Sequence, residues 1–497
     1  MNNKNFLAFD LGAESGRAIL GTFSDGLINT REIHRFPTGM LKKGDHYHWD
    51  IFRIYKEIIK GIKICVEKEK NQPDSVGIDT WGVDYALLAE DGSFLNMPFT
   101  YRDPRTNNIA EEVFALIPKK QIYDLTGIQF LQFNTIYQLY SEKKYRPEIL
   151  KNAGDLLFIP DIFNFLLTGV KTSEFTFATT SQLFNPVTMD WEEQLFTALD
   201  LPKGIMRQTV MPGDIIGAVK PQICKETGIK QIPVIATASH DTGSAIAAIP
   251  ATGNNWAYIS SGTWSLMGIE SSQPLICDKS FQNNFSNEGG VERTFRVLKN
   301  MMGLWILQQT KKAWEEKKYS YSYLVEMAEK AAPFRCMIDP DNTVFFNPDN
   351  MARRIMEYIS DTNQETPSSE GEMIRTILES LALKSRFVLE QINDLAPERI
   401  EKIYMTGGGI NNELLCQFTA NATGLPLITT FAEGTALGNI MVQAMAMKLV
   451  NSLSEIRYVI GNSYSTRIYE PEDTEKWEEA YKKFNFLIKS GLLISAR

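Results

Sequence analysis

Apolar and polar positions along this chain follow two periods, and short strand-like runs punctuated by small residues alternate with helical stripes. Residues 6–9 form an apolar run ending at Asp10, a glycine-bearing polar stretch follows, and residues 18–23 are apolar again, which predicts strand, turn, strand. Residues 256–269 repeat the device around Ser260-Ser-Gly-Thr. Asp50 is placed to cap a helix whose apolar Phe52, Tyr55, Ile58, Ile59, Ile62, Cys65 and Val66 recur at three and four residues. Strands are predicted over 75–79, over 83–89 closed by the Asp91-Gly92 turn, over 215–219 and over 234–236. Beyond residue 130 the pattern is mostly helical, with 161–167 bounded by Pro160 and Thr168-Gly169, while the hydroxyl cluster 176–181 fits neither period. In the second half, 361–372 reads as a polar surface loop before a long helix striped by Ile374, Ile377, Leu378, Leu381 and Val388. A strand over 403–406 then enters Gly407-Gly-Gly, Glu433 opens a core helix over 436–450, and Trp477, Tyr481, Phe484 and Ile488 stripe a terminal helix.

Length divides this pattern. At 497 residues the chain exceeds what one hydrophobic core supports, and the alternation of strands with helices predicts two large α/β units, residues 1–248 and 249–497, joined near 249–254. A net charge of -9 without a basic stripe argues against a nucleic-acid partner. The apolar run 6–9 is too short for a secretory signal, and the 436–450 stretch is both too short and too polar to span a bilayer. Five cysteines without paired spacing indicate neither a zinc site nor a disulfide framework, so the reading is a cytoplasmic protein with no membrane partner. Nothing sets an oligomeric state, and a monomer is compatible.

The chemistry gathers around Ala-Ser-His-Asp-Thr-Gly-Ser-Ala, residues 238–245, fed by the 234–236 strand. Open α/β sheets place their reactive groups at the carboxyl ends of strands, so Asp241 is a candidate catalytic base; the alternative is an aspartate capping a helix that begins near Gly243. In the first hairpin, Gly12 and Gly16 permit a tight turn whose amides, with Ser15, could hold phosphate oxygens, and Asp10 could face magnesium. Two such hairpins, one near the start of each half, suit a duplicated fold gripping a nucleotide, or are a coincidence of ordinary turns. Trp81 with Gly82 and Asp84 suits a sugar face and hydroxyls, or is packing. Arg102 and Arg105 read as partners of a loop carboxylate. Three glycines from Gly407 let backbone approach adenosine closely, without the lysine of a Walker A loop or the glycine spacing of a Rossmann fingerprint.

Seven blocks in order, Asp10-Leu-Gly-Ala-Glu-Ser-Gly-Arg, Asp79-Thr-Trp-Gly-Val-Asp, Tyr101-Arg-Asp-Pro-Arg-Thr, Ser239-His-Asp-Thr, Ser260-Ser-Gly-Thr-Trp-Ser-Leu-Met-Gly, Leu298-Lys-Asn-Met-Met-Gly-Leu-Trp and Gly407-Gly-Gly-Ile-Asn-Asn, resemble the FGGY carbohydrate kinases from residue 6 to about 447. The resemblance implies two ribonuclease H-like α/β domains of the actin, sugar kinase and heat-shock ATPase superfamily with an interdomain cleft. It implies ATP-dependent phosphorylation of L-rhamnulose to L-rhamnulose 1-phosphate in rhamnose catabolism, with another ketose or polyol such as L-fuculose, or an ATP-gated binding module, as the alternatives. Carried over by position, Ala13, Glu14, Ser15, Gly16, Arg17, Thr263, Asn300, Gln308 and Gly408 would contact ATP. Gly82, His240, Asp241 and Thr242 would hold the sugar, Asp241 would accept the proton, and Asp10 would face Mg2+.

Overall fold

In the computed structural model, which describes residues 3–495, the first apolar run becomes β1 (Lys4–Leu11), buried from Phe6 onward. It lies in mid-sheet: β2 (Ser15–Ser24) pairs with it antiparallel, from Lys4↔Phe23 to Leu11↔Gly16, and β3 (Leu27–Pro37) continues the meander. On its other side β4 (Ser75–Thr80) pairs parallel, setting Asp10 opposite Asp79. With β5 (Ile215–Ala218) and β6 (Pro233–Ile235), the six-stranded order is β5-β6-β4-β1-β2-β3. A mid-sheet strand covered on both faces needs continuous apolar residues rather than alternation, which is why residues 6–9 read as an unbroken run. Three helices matter here, α1 (Ile51–Glu67), α2 (Ile159–Thr168) and the short α3 (Asp241–Ala247).

The chain divides into two compact units that interleave in sequence. The first comprises Met1–Pro250, Glu270–Val297 and Glu433–Ser465, the second Ala251–Ile269, Leu298–Ala432 and Thr466–Arg497. In the second, β7 (Trp256–Ser261) and β8 (Trp264–Ser271) form an antiparallel hairpin, followed by β9 (Phe295–Met302), β10 (Lys402–Thr406), β11 (Leu427–Thr429) and β12 (Arg467–Tyr469), six strands of a seven-stranded sheet, in the order β9-β8-β7-β10-β11-β12. β7 pairs parallel with β10, β10 parallel with β11, and β11 antiparallel with β12. The first unit repeats the pairing pattern, β1 parallel to β4, β4 parallel to β6 and β6 antiparallel to β5, although its edge strand β5 precedes β6 in the chain whereas β12 follows β11. One supersecondary plan therefore serves twice. Around the second sheet lie α4 (Trp305–Ala313) and α5 (Glu370–Asn393), whose Ile374, Ile377, Leu378, Leu381 and Val388 are buried as the stripe requires. The chain then returns to the first unit as α6 (Gly434–Ala446), whose buried Gln443 donates to the Leu7 carbonyl oxygen and accepts from Ser75. The terminal helix α7 (Thr474–Ser495) buries Trp477, Tyr481, Phe484 and Ile488. Among the described residues no helix is long and apolar enough to cross a membrane.

Several local expectations change. Asp50 does cap α1, accepting from the Arg53 amide, but Phe52 points to solvent while Ile51 and Ile54 fill the core, so the buried stripe starts one residue earlier than read. Pro160 lies inside the first turn of α2, where its missing N–H has no intrahelical partner to lose, rather than before the helix. The polar loop is shorter than 361–372: Asp361 ends the preceding helix and Ser369 caps α5, accepting from the Glu372 amide. The core helix stops at Ala446, not 450. Gly12 and Gly16 do not take left-handed angles. At Gly16 the need is space, because a side chain there would meet the Phe36 ring at 2.5 Å.

Candidate active site

Three chain segments of the first unit end together. The Thr80 amide donates to the Ser239 carbonyl oxygen (2.8 Å), the Trp81 amide donates to the Leu11 carbonyl oxygen (3.2 Å), and Thr80 bridges His240 in parallel. This brings Asp10, Asp79, Gly82 and residues 239–242 into one place. Asp241 is the first residue of α3, with His240 in the cap position, so the helix begins two residues before Gly243. Its Oδ1 accepts from the Thr242 amide (2.6 Å) and hydroxyl (3.2 Å). His240 Nε2 stands 3.5 Å from Asp241 Oδ1, and a side chain on Gly82 would meet that nitrogen at 3.2 Å.

The three carboxylates differ in access. Asp79 is fully buried, the Asp10 side chain is 7% exposed and the Asp241 side chain 32%, so of the three only Asp241 can readily meet a substrate hydroxyl. Burial, then the charges of Asp10 and Asp241, push Asp79 well above its ordinary range against the hydrogen bond that Asn439 of α6 donates to Oδ2 (2.5 Å). Its Oδ1 has no hydrogen-bond partner. Asp241 is also raised, by burial and by Asp10, with His240 and the Thr242 bonds pulling the other way. Arg17 is paired with Asp10 and with Glu433, the residue just before α6, and its guanidinium is correspondingly raised despite its burial.

What holds residues 239–242 in place was not visible in the sequence. Glu174 precedes a one-turn helix, Phe175–Ala178, and its Oε2 accepts from the Ser239 amide (3.1 Å) and hydroxyl (2.6 Å) and from the Thr176 hydroxyl (2.5 Å). Thr176 in turn accepts from the His240 amide (3.2 Å). The unassigned cluster 176–181 therefore belongs to the scaffold of the site. Glutamate is not a favoured capping residue and Glu174 sits among phenylalanines, so composition gave no signal. Behind it the buried Asp161 is pushed well above its ordinary value by burial and by the charge of Glu174. Because every partner of Glu174 is a donor, Glu174→Gln turns an amide N–H2 against N–H and O–H groups. We expect it to cost about 2–3 kcal/mol of stability and to lower kcat with the KM for ATP unchanged, measured by urea unfolding and steady-state kinetics; wild-type values of both would remove Glu174 from this role.

Asp84 is a second buried hub. Its Oδ2 accepts from the indole nitrogens of Trp49 (2.7 Å) and Trp81 (3.1 Å) and from the Tyr101 amide (3.1 Å), and its Oδ1 from Gln138 (2.9 Å). Burial nevertheless carries it up to about 6. Trp81 stacks at 4.1 Å on Trp49 and is 5% exposed, so packing, the alternative left open by the sequence, describes it. Arg105 pairs with the buried Glu142 (3.1 Å) of the helix Thr135–Tyr145 rather than with a loop carboxylate.

The remaining sequence candidates lie in the second unit. Thr263 is at the tip of the β7–β8 hairpin and its hydroxyl is 3.4 Å from Gln308 Oε1 on α4. Asn300 lies on β9 and Gln308 on α4. The Leu304 and Trp305 amides donate to Gly262 and Thr263 carbonyl oxygens, bracing the tip. Gly407 has φ 83° and, with Gly409, packs on Ser261, whereas a side chain on Gly408 would meet nothing within 4 Å. Of the three glycines, Gly408 is the one that leaves open space beside bare backbone.

Comparisons with known proteins show the family and the fold. Residues 5–247 match the FGGY family of carbohydrate kinases, N-terminal domain, and residues 257–447 the C-terminal domain of that family. The chain is 43% identical to a rhamnulokinase of Bacteroides thetaiotaomicron over 486 residues, covering 98% of this chain and 100% of the relative. It is 40% identical to a rhamnulokinase of Oceanobacillus iheyensis, covering 93% and 97%. Among solved structures, a ligand-bound xylulose kinase from Lactobacillus acidophilus superposes with a TM-score of 0.82 at 17% identity over 98% of each chain, and a gluconate kinase from the same organism does so with 0.82 at 16% over 98% of each.

Proposed function

This chain belongs to the FGGY family of carbohydrate kinases and is a sugar kinase with ATP as cosubstrate, and on that premise we propose that its acceptor is L-rhamnulose, phosphorylated to L-rhamnulose 1-phosphate in rhamnose catabolism. The sugar assignment rests on rhamnulokinases at 36–43% identity over nearly the whole chain. The observation that carries the mechanism is the exposure of Asp241 among otherwise buried carboxylates.

Phosphoryl transfer proceeds through a loose transition state, so the protein chiefly orients the attacking hydroxyl and spreads charge. In our reading Asp241 takes the proton of the sugar's 1-hydroxyl as its oxygen bonds to the γ-phosphorus and the bond from that phosphorus to the departing ADP breaks, and His240, Thr242 and the bare backbone at Gly82 orient the sugar. In the first unit Ala13, Glu14, Ser15, Gly16 and Arg17 would contact phosphate oxygens. Residues 249–497 supply Thr263, Asn300, Gln308 and Gly408 for ATP. Among the described residues no three histidine, cysteine, aspartate or glutamate side chains form a closed metal cage. Magnesium does not need one, because it keeps water and phosphate ligands and takes one or two carboxylates. Asp10 and the partnerless Asp79 Oδ1 fit that role. When bound, the ion supplies neutralisation of phosphate charge.

Two measurements test this reading. ADP release with a panel of ketoses and polyols should give the highest kcat/KM for L-rhamnulose; a higher value for L-fuculose would move the assignment to the runner-up sugar. Gly408→Val places a side chain in open space without backbone strain, so folding should be intact while the KM for ATP rises at least roughly tenfold and the KM for sugar holds. Equal changes in both constants would detach Gly408 from the adenosine.

A further inference from the structure

We propose that Arg296, with Glu288, fixes His240 in the tautomer that carries its proton on Nε2, so that this residue presents a donor beside Asp241 and leaves Asp241 the only proton acceptor of the pair. The inference rests on the reading of Asp241 as the base. Arg296 is fully buried, and its Nε donates to the Gly289 carbonyl oxygen (2.9 Å), which fixes the direction of the guanidinium. Its Nη2 lies 3.2 Å from His240 Nδ1 with hydrogen-bond alignment. A guanidinium has only donors, so Nδ1 must be the acceptor and the ring proton must sit on Nε2. Glu288 Oε2 is 3.1 Å from both Nδ1 and Nη2 but makes no aligned hydrogen bond to either. Its part is electrostatic, balancing the buried arginine. Burial opposes the charge of Glu288, yet the adjoining Arg296 guanidinium holds its carboxyl below the usual range.

The far edge of the ring shows what this achieves. Nε2 faces Gly82 and stands 3.5 Å from Asp241 Oδ1, a separation that leaves room for a ligand hydroxyl to approach both groups. A lone pair there would compete with Asp241 for the hydroxyl proton. An N–H instead donates to the hydroxyl oxygen and directs its proton toward the carboxylate. Arg296 and Glu288 are thus positioning residues, acting through His240, and the phenyl ring of Phe177, edge-on at 6.4 Å, limits rotation of the imidazole.

The chain has four histidines, which makes the tautomer directly observable. Two-bond proton–nitrogen correlation spectra of the 15N-histidine-labelled enzyme, with the His240 ring assigned by its loss in His240→Asn, should show a protonated Nε2 and an unprotonated Nδ1 near pH 8. A protonated Nδ1, alone or in an imidazolium, would overturn the proposal. In the double variant Arg296→Met with Glu288→Gln, which removes both buried charges together, the ring should become a mixture of tautomers and kcat should fall roughly tenfold, with the KM for ATP unchanged. A ring that keeps its Nε2 proton and an unchanged kcat in a folded double variant would also overturn it. If that variant does not fold, the wild-type spectrum still decides. The spectrum is independent of the base assignment: full turnover in Asp241→Asn would remove Asp241 as base whatever tautomer His240 shows.

Discussion

Asp241→Asn should lower kcat by about 100-fold or more while the KM for ATP stays close to wild type. Asparagine keeps the shape of the side chain and can still accept from the Thr242 amide and hydroxyl, so the loop and the start of α3 should persist. What it cannot do is take a proton. The same residue sets a pH dependence whose sign follows from its surroundings. Burial and Asp10 raise Asp241 above the ordinary aspartate value of 3.8, so the active ionised form should begin to disappear, as the pH falls, sooner than it would for a free aspartate. The acid limb of kcat/KM should accordingly lie above that value and report on this residue. Near-normal turnover in the variant would take Asp241 out of the chemistry, and a parallel loss of ATP binding would mean that the site lies elsewhere.

Gly438→Ala should be the most destabilising single methyl in the first unit. Helix α6 crosses α3 at this glycine, and an added Cβ would stand 1.8 Å from the Ser244 carbonyl oxygen. That neighbour is backbone and cannot rotate away, so the helices must part. Overpacking against a movable side chain costs about 1–3 kcal/mol, and here we expect at least about 3 kcal/mol. Because α3 begins with Asp241 and α6 also carries Asn439 to Asp79, the displacement should reach the site, giving reduced kcat in whatever protein folds. Urea unfolding and steady-state kinetics measure the two effects. A variant as stable and active as wild type would show that this crossing tolerates separation.

These cases indicate what the sequence could and could not carry. The two hairpins were legible because strand, small-residue turn and strand are local, and the parallel pairings of β1 and β7 confirm that one plan is used twice. Gly438 was not legible: inside an apolar helix it reads as an ordinary weak helix former, and its reason is a carbonyl almost 200 residues away. The same holds for α6 as a whole, which follows the second sheet in sequence yet packs on β1 and β4 of the first unit. Asp241, His240 and Gly82 became candidates through short motifs that also look like turn chemistry. Their supports, Glu174, Glu288 and Arg296, are isolated charged residues with no periodic partner, and burial alone gives them meaning. Trp81 and Asp84 mark the opposite limit, since an aromatic beside a carboxylate suits a sugar as well as a core, and only the partners Trp49, Tyr101 and Gln138 separate the two.

The most direct test of the proposed reaction is to follow ATP and L-rhamnulose with the enzyme by phosphorus NMR. One new phosphate monoester should appear, coupled to the protons on C1 of the sugar and forming in step with ADP, one for one. ADP accompanied only by inorganic phosphate, or a monoester on another carbon, would contradict it.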